Sequence, residues 1–278
     1  MVAVSLVSAL GLFGCSDDGA EKKADQGGSS EPVELQVFAA NSLSKAMEDI
    51  QALYSEQNPK VTFADTQYKG SGELNEMLGG GAYADVLITA SMGSMDTAVE
   101  KGYVDESTRI TMFTNDLVIV AKEDASFDDV TLQDIADGVY TVAVGDESVP
   151  AGNYACQALS TVGAYVDPSG KTGAEITGKG GEFAGITPVL QTSAGNVCKQ
   201  AESGDVDVAI VYSSDVFRFG GVKIVGEIPS DAHKPILYPG AVCTQSENVE
   251  EVEAFLNWCL TDPEAQKIWN SWGFELAA

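Results

Sequence analysis

The stretch Val37–Met47, with the sequence VFAANSLSKAM, predicts a strand that runs directly into a helix. The strand is apolar, Ser42 lies in the turn, and apolar residues then recur at helical spacing. These apolar residues are Leu43, Ala46, Met47, Ile50, Leu53 and Tyr54. Ser42 is therefore expected near a helix N-terminus, where free N–H groups and the helix dipole attract an anion. A site of this kind needs neither Lys nor Arg.

The composition allows a large core and excludes several classes of partner. A chain of 278 residues, 44% of them hydrophobic, is long enough for two lobes of ordinary domain size. Its 42 acidic and 15 basic residues give a net charge of −27, which argues against binding nucleic acid or anionic lipid. Solubility is the simplest explanation of this acidity. Local dipoles and short hydrogen bonds can still hold an anion, because the general field is screened beyond about 10 Å.

Strand and helix patterns alternate along the chain, which favours an α/β fold with parallel strands. The predicted strands are Leu35–Ala39, Val61–Thr66, Asp85–Thr89, Asp116–Ala121, Tyr140–Val144, Val206–Tyr212, Lys223–Glu227 and Ile236–Thr244. The predicted helices are Leu43–Glu56, Gly72–Gly79, Ser94–Lys101, Leu132–Asp137, Ala151–Val162, Val197–Ser203, Val249–Leu260 and Pro263–Trp272. The Gly- and Thr-rich stretch 167–192 fits neither pattern and is interpreted as a long loop.

Further passages along the chain have the same strand-to-turn-helix character. They are Tyr68–Leu74 (YKGSGEL), Ala143–Tyr154 (AVGDESVPAGNY), the pair Asn196-Val197, and Ala209–Asp215 (AIVYSSD). Together with Val37–Met47, Lys234–Val242 and Trp272–Phe274, these passages resemble the periplasmic molybdate-binding proteins in content and order. Those proteins are the solute receptors of molybdate ABC importers, and the resemblance covers roughly residues 33–276.

The resemblance implies a two-lobed fold of the periplasmic-binding-protein type II class. Each lobe would be a doubly wound mixed sheet flanked by helices, with the ligand in the cleft between the lobes. The strands NDLVIVA (115–121) and YPGAVC (238–243) resemble the two crossings between lobes. Lobe one would then contain residues 33–115 and 238–278, and lobe two residues 116–237.

The resemblance also implies the ligand and the residues that hold it. Molybdate or tungstate would be bound by hydroxyl and backbone donors of Ser42 and Ser71, by the backbone N–H groups of Ala151 and Val197, and by the Tyr212 phenol. Molybdenum would enter only as the oxyanion, through these same residues. For each serine, a plain helix cap is the alternative. The protein would be a monomer without a cofactor, and its partners would be the permease and ATPase of the importer.

The N-terminus predicts export and a lipid anchor. Residues 2–13 form an apolar run too short to span a bilayer, and Gly14-Cys15 resembles the end of a lipoprotein signal. Residues 1–15 are therefore interpreted as a lipoprotein signal peptide, with lipid on Cys15. The polar segment 16–31 is interpreted as a flexible tether to the membrane. A truncated ordinary signal peptide is the alternative; either would place the domain outside the cytoplasm.

The remaining reactive residues give no catalytic motif. Four cysteines, which match no zinc spacing, are either two disulfides or buried free thiols: Cys156, Cys198, Cys243 and Cys259. The one histidine, His233, is expected to be a solvated loop residue, and neither a G-x-S-x-G elbow nor a P-loop occurs. We therefore expect no enzymatic activity. A receptor for sulfate, phosphate or ferric iron stays open, as does an exported α/β hydrolase.

Overall fold

Two sheets form the centres of two lobes, and alternating strands and helices build both. The computed structural model describes residues 31–277, so Cys15, the expected leader and the tether up to residue 30 lie outside the described residues. In the described part, the strands are β1 (Val33–Leu35), β2 (Val37–Ala40), β3 (Val61–Phe63), β4 (Gln67–Lys69), β5 (Val86–Ile88), β6 (Ile110–Asn115), β7 (Leu117–Lys122), β8 (Val142–Gly145), β9 (Tyr165–Val166), β10 (Glu182–Phe183), β11 (Val189–Gln191), β12 (Val208–Tyr212), β13 (Val222–Glu227), β14 (Ile236–Val242) and β15 (Glu275–Leu276). The helices are α1 (Ser44–Gln57), α2 (Ser71–Gly79), α3 (Met92–Glu100), α4 (Leu132–Ala136), α5 (Pro150–Thr161), α6 (Ala194–Ser203), α7 (Ser213–Phe219), α8 (Val249–Thr261) and α9 (Pro263–Ser271). Short 3-10 helices span Asn41–Leu43, Glu106–Thr108 and Gly173–Glu175.

Both sheets are mixed, which confirms the predicted α/β class with two lobes. The six-stranded sheet of the first lobe has the order β15-β6-β14-β5-β2-β4. In it, β2 runs parallel to β4 and β5, whereas β14 runs antiparallel to β5 and β6. The five-stranded sheet of the second lobe has the order β11-β8-β12-β7-β13. There β8 runs parallel to β11 and β12, whereas β7 runs antiparallel to β12 and β13.

Helices cover both faces of each sheet because the central strands are apolar on both sides. In β7, Val118 and Val120 pack in one core cluster, and Ile119 and Ala121 pack in another. Alternate residues of a strand point to opposite faces, so the two clusters lie on opposite sides of the sheet. Helix α6 packs in the cluster of Val118 and Val120, and helix α5 packs in the cluster of Ile119 and Ala121. Both helices contact β7. Burial of this kind supplies most of the stability of such a lobe.

The chain passes between the sheets in two places. Strand β6 ends at Asn115 and β7 begins at Leu117, so Asp116 is the first connection. The second connection joins β13 to β14 through residues 228–235. The sequence placed the return to the first lobe at residue 238. Ile236 and Leu237 already pair with β6, so a lobe border before residue 236 keeps the whole of β14 in the first lobe. We place the lobe borders at these two connections.

Several short elements differ from the sequence predictions. Helix α7 and the strands β4, β6, β9, β10, β11 and β15 were not predicted. Part of the expected loop 167–192 is a sheet edge, since β11 pairs with β8. Except for β6, these strands have only two or three residues and therefore no periodicity to detect, and their pairing partners are distant in the sequence. Among the described residues, no helix is long and apolar enough to cross a membrane.

The four cysteines of the domain are free thiols, so the disulfide alternative is wrong and the free-thiol alternative is confirmed. All four are buried: Cys156, Cys198, Cys243 and Cys259. Burial raises the pKa of each thiol, to about 12 for Cys156 and Cys243. They therefore stay protonated at neutral pH and behave as small apolar side chains.

The expectation of a solvated His233 is wrong. Its side chain is only 5% exposed, and its ring packs edge-on against Tyr154 at 5.8 Å between centroids. Its Nδ1–H donates to the Lys234 carbonyl over 2.7 Å, and the Lys234 N–H donates to Gln157 Oε1 over 2.8 Å. Helix α5 thus holds this loop against the second lobe, which a local sequence pattern does not reveal.

A candidate anion site in the cleft

A cavity of about 420 Å³ lies between the two lobes, and turns that begin helices supply most of its lining. Ser42, Ser71, Ala151 and Tyr212 all belong to this lining, so the fold brings together four of the five predicted binding residues. From the first lobe, the lining contains Ala40, Asn41, Ser42, Lys69, Gly70, Ser71, Glu73 and Ala90. From the second lobe, it contains Ser148, Val149, Pro150, Ala151, Thr192, Ser193, Ala194, Gly195, Tyr212, Asp215, Arg218 and Phe219.

The two serines of the first lobe do not cap their helices. Ser42 lies within the 3-10 turn that leads into α1, and neither the turn nor α1 has a side-chain cap. Ser71 is the first residue of α2, which also lacks a side-chain cap because its N-cap residue is Gly70. The alternative that both serines are plain helix caps is therefore wrong. Their hydroxyl groups are left for other partners.

Ser71 is oriented as a donor toward the cavity. Its side chain is only 4% exposed, and its Oγ accepts a hydrogen bond of 3.0 Å from the Ala90 N–H. The hydroxyl proton is consequently free to point elsewhere. A Cβ placed on Gly70 or Gly72 would meet nothing within 4 Å, so no other group crowds the backbone on either side of Ser71.

In the second lobe, Ala151 contributes a backbone donor at the start of α5. The helix begins at Pro150 without a side-chain cap, and Ala151 follows in the first turn, where no intrahelical carbonyl is in reach. The turn is tight. A Cβ on Gly152 would lie 2.2 Å from the Gly145 carbonyl oxygen, so only glycine fits where strand β8 turns into α5.

Val197 is not among the residues that line the cavity, and the expectation that it opens a helix is wrong. Helix α6 begins three residues earlier, at Ala194, because Ser193 is its cap and its Oγ accepts from the Asn196 N–H. The Val197 N–H donates to the Ser193 carbonyl over 3.1 Å, and its side chain is 1% exposed in the core. The first-turn donors of α6 are the N–H groups of Ala194 and Gly195, which line the cavity instead. The N-capping signal of Ser193 in the sequence was sufficient to find them.

Tyr212 ends β12 with a buried and unpartnered phenol. The residue is 4% exposed, and its hydroxyl oxygen has no hydrogen-bond partner among the described residues. Burial raises the pKa of Tyr212 well above its ordinary value, so the phenol keeps its proton and is a donor. A buried hydroxyl without a partner costs roughly 1–3 kcal/mol. A ligand oxygen in the cavity would remove this cost.

Charged residues complete the lining, and no motif in the sequence predicted them. Lys69 pairs with Glu73 over 3.1 Å at the rim. Arg218 forms no ion pair with any described residue, and its guanidinium lies 4.7 Å from the centre of the Phe219 ring. Burial lowers the Arg218 pKa, while Asp215 opposes this shift from beyond ion-pair distance. A half-buried cation that pairs with no described carboxylate thus lines the cavity of a strongly acidic protein.

Asp215 is the buried carboxylate of the site. It is fully buried; its Oδ2 accepts from the Tyr212 N–H over 3.3 Å, and its Oδ1 has no partner among the described residues. Burial raises the pKa of Asp215 to about 6, although Arg218 and the Tyr212 N–H act against the shift. Asp215 and Arg218 are three positions apart on α7, the helix that was not predicted.

Two α/β lobes with a cleft between them, lined by hydroxyl and N–H donors as well as charged side chains, have the architecture of a ligand-binding protein. No cluster of three or more metal-binding side chains occurs in the described part of the chain. Residues 35–275 match the family of bacterial extracellular solute-binding proteins, and the chain belongs to this family.

Individual relatives cover nearly the whole domain. The molybdate-binding protein ModA of Escherichia coli K12 is 33% identical over 248 residues, which is 87% of this chain and 89% of that protein. A provisionally named ABC transporter substrate-binding lipoprotein of Bacillus subtilis, YvgL, is 26% identical over 97% of this chain and 95% of its own. Among solved structures, the substrate-binding domain of a provisionally named molybdenum ABC transporter from Clostridium difficile is 28% identical, with a TM-score of 0.71. The match covers 88% of this chain and 99% of that domain.

Proposed function

We propose that this protein captures molybdate, and tungstate with it, outside the cytoplasm and delivers it to an ABC importer. One observation carries the proposal: hydroxyl and N–H donors from both lobes converge on one cavity. The hydroxyls belong to Ser42, Ser71 and Tyr212, and the N–H groups to the first turns of α5 and α6. The Escherichia coli relative, which is named for molybdate binding, supports the choice of anion.

The hydrogen-bonding character of the site favours an anion without a proton. Ser71 already accepts from the Ala90 N–H and so presents its proton, and the unpartnered Tyr212 phenol is also a donor. Molybdate at neutral pH offers only acceptor oxygens, so such donors match it on every side. Hydrogen bonds to a charged group are worth about 1.5–3 kcal/mol each, enough to hold a dianion in an acidic protein.

Electrostatics close to the cavity also favour the anion. Helix α5 starts at the cavity and carries a partial positive charge there, as does α6. Arg218 adds a full positive charge that no described carboxylate pairs with. We propose that these local charges attract the anion into the cleft against the net charge of −27.

Donors on both lobes imply that the lobes close on the ligand. Ser42 and Ser71 belong to the first lobe, and Ala151, Ala194 and Tyr212 to the second. A ligand that contacts both sides stabilises the closed arrangement by the contacts it makes only there. We propose that the permease and ATPase of the importer receive the closed, loaded monomer.

A receptor for hydrogen phosphate is the second candidate, and Asp215 is the observation that favours it. A singly protonated anion needs an acceptor for its proton, and Asp215 Oδ1 has no partner among the described residues. The hydroxyl and N–H donors of the lining outnumber this one acceptor, which weakens this alternative. An exported hydrolase is disfavoured because His233, the one histidine, packs against Tyr154 and does not line the cavity.

Anchoring at the membrane is part of the proposal. Gly14-Cys15 precedes a polar segment, and the Bacillus subtilis relative carries the word lipoprotein in its name. We propose lipid on Cys15, with residues 16–31 as the tether that lets the domain reach the permease.

A calorimetric panel of anions tests the function. Molybdate, tungstate, sulfate, phosphate and ferric citrate are titrated into the purified protein, and its thermal unfolding is followed with each. We expect molybdate and tungstate to bind more tightly than the others. At a free concentration of 100 times Kd, the bound anion should add about 2.7 kcal/mol to the free energy of unfolding. Tighter binding of sulfate or phosphate than of both would refute the proposed ligand.

A further inference from the structure

Ser42 has a fully buried partner behind the cavity. The Tyr238 hydroxyl lies 3.1 Å from Ser42 Oγ, and Tyr238 has no exposed surface. Tyr238 belongs to β14, on the strand that returns from the second lobe. It does not line the cavity itself. The distance alone leaves open which of the two hydroxyls donates, and this direction decides what Ser42 offers a ligand.

Asn115 sets the direction of this hydrogen bond. Its Oδ1 accepts from the Asp116 N–H over 3.0 Å and from the Ser213 hydroxyl over 2.8 Å. A backbone N–H can only donate, so the oxygen of the Asn115 amide must be on this side. Its Nδ2 group therefore donates to Ser214 Oγ over 2.8 Å and to the Tyr238 hydroxyl oxygen over 3.4 Å.

The chain of donors ends at the cavity. The Tyr238 oxygen accepts from Asn115, so its single proton points to its other partner, Ser42 Oγ. Burial raises the Tyr238 pKa far above neutral, so this proton is present. Ser42 Oγ then accepts, and its own proton turns away from Tyr238 into the cavity that Ser42 lines. The Ser71 hydroxyl is likewise left to donate, because its oxygen accepts from the Ala90 N–H.

We infer that Tyr238, oriented by Asn115, is a positioning residue that fixes the Ser42 hydroxyl as a donor and thereby selects anions that carry no proton. The inference rests on the proposed function and deepens it. An anion that turned a protonated oxygen toward Ser42 would bring two O–H groups face to face, and one of them would lose its acceptor. Without Tyr238, the Ser42 hydroxyl is free to rotate, and it can accept as well as donate.

A double-mutant cycle tests this inference in the purified full-length protein. Calorimetry gives Kd for molybdate and for phosphate in wild type, Ser42→Ala, Tyr238→Phe and the double variant. We expect Tyr238→Phe to weaken molybdate binding about threefold to tenfold, the value of one neutral hydrogen bond. In the Ser42→Ala background, the same change should have no further effect, because Tyr238 acts through Ser42. The preference for molybdate over phosphate should fall in Tyr238→Phe.

Tyr165→Phe is the matched control. Tyr165 is also buried, and its hydroxyl accepts one hydrogen bond, from the Gly181 N–H over 2.8 Å, whereas the Tyr238 hydroxyl takes part in two. Tyr165 lies outside the cavity, so this variant should lose some stability but no affinity. If Tyr238→Phe fails to fold, Asn115→Ala removes the donor that orients Tyr238, and the cycle with Ser42→Ala is run with that variant.

Three outcomes overturn the inference. Equal losses from Tyr238→Phe with and without Ser42 would show that Tyr238 acts through packing. Wild-type affinity and wild-type anion preference in Tyr238→Phe would show that the direction of the hydrogen bond between Tyr238 and Ser42 does not affect anion binding. If wild type prefers sulfate, the proposed ligand is wrong, yet the cycle still applies, because sulfate also carries no proton at neutral pH. A wild type that binds none of these anions refutes both the function and the inference.

Discussion

Replacing Tyr212 with phenylalanine should move stability and affinity in opposite directions. The ring of Tyr212 is buried, and its hydroxyl has no hydrogen-bond partner among the described residues. In the free protein, Tyr212→Phe removes a polar atom that is buried without compensation. The free energy of unfolding should therefore stay constant or rise by up to about 1–3 kcal/mol.

In the complex, the same hydroxyl is expected to donate to the anion. Losing a hydrogen bond to a charged group costs about 1.5–3 kcal/mol, which weakens binding roughly 10-fold to 160-fold. Titration calorimetry gives the affinity for molybdate, and urea unfolding without ligand gives the stability. The two measurements together separate a binding role from a packing role, because a packing residue would lose stability on truncation.

Tyr154→Phe is the control for this variant. Tyr154 is buried beside Tyr212, with ring centroids 6.3 Å apart, but it does not line the cavity. It should keep wild-type affinity. Wild-type affinity in Tyr212→Phe, or a clear loss of stability in the free protein, would refute the assignment of the phenol as an anion ligand. Small-angle scattering on wild type adds a check on the lobes: molybdate should reduce the radius of gyration.

Four further predictions follow from the site and its anchor. Ser42→Ala and Ser71→Ala should each weaken molybdate binding by about 1.5–3 kcal/mol in calorimetry, whereas Ser94→Ala, at a helix start outside the cavity, should not. Asp215→Asn should be more stable than wild type at pH 8, by up to about 3 kcal/mol in urea unfolding, because burial raises the Asp215 pKa from 3.8 to about 6. A raised carboxyl pKa destabilises the folded state above pH 6, so this advantage should vanish as the pH falls through 6 toward 4; a difference that persists at pH 4 would contradict it. Arg218→Gln should slow molybdate association at low salt, and its rate should depend less on ionic strength than that of wild type in stopped-flow measurements. Cys15 should carry lipid in mass spectra of the protein purified from membranes; an unmodified Cys15 would contradict the anchor.

Local patterns in the sequence determined most of the regular structure. The apolar alternation of strands and helices gave the α/β class because burial on both faces of a sheet requires apolar runs followed by amphipathic helices. The turns that contain Ser42 and Ser71 predicted that both lie at helix starts, since a helix start is encoded within a few residues. At Ala151, the resemblance to known proteins added what its side chain could not show.

One error had a local cause and the other a distant one. Val197 was placed one turn too late because the capping role of Ser193 was overlooked, and the first-turn donors are those of Ala194 and Gly195. The burial of His233 depends on the ring of Tyr154 and on the hydrogen bond from the Lys234 N–H to Gln157 of α5. The contacts of His233 join residues far apart in the chain, for which no local pattern exists.

Whether the hydroxyl groups of the site donate or accept hydrogen bonds is decided by the tertiary structure alone. The sequence places a serine at a turn, but whether its hydroxyl donates or accepts depends on the groups around it. Tyr238 is 196 positions from Ser42, and Asn115 is 123 positions from Tyr238. Pairing of β6 with β14 brings Asn115 and Tyr238 together. Within the first lobe, the Tyr238 hydroxyl then lies 3.1 Å from Ser42 Oγ. Hydrogen-bond direction is passed from group to group through space, so only the assembled sheet determines it.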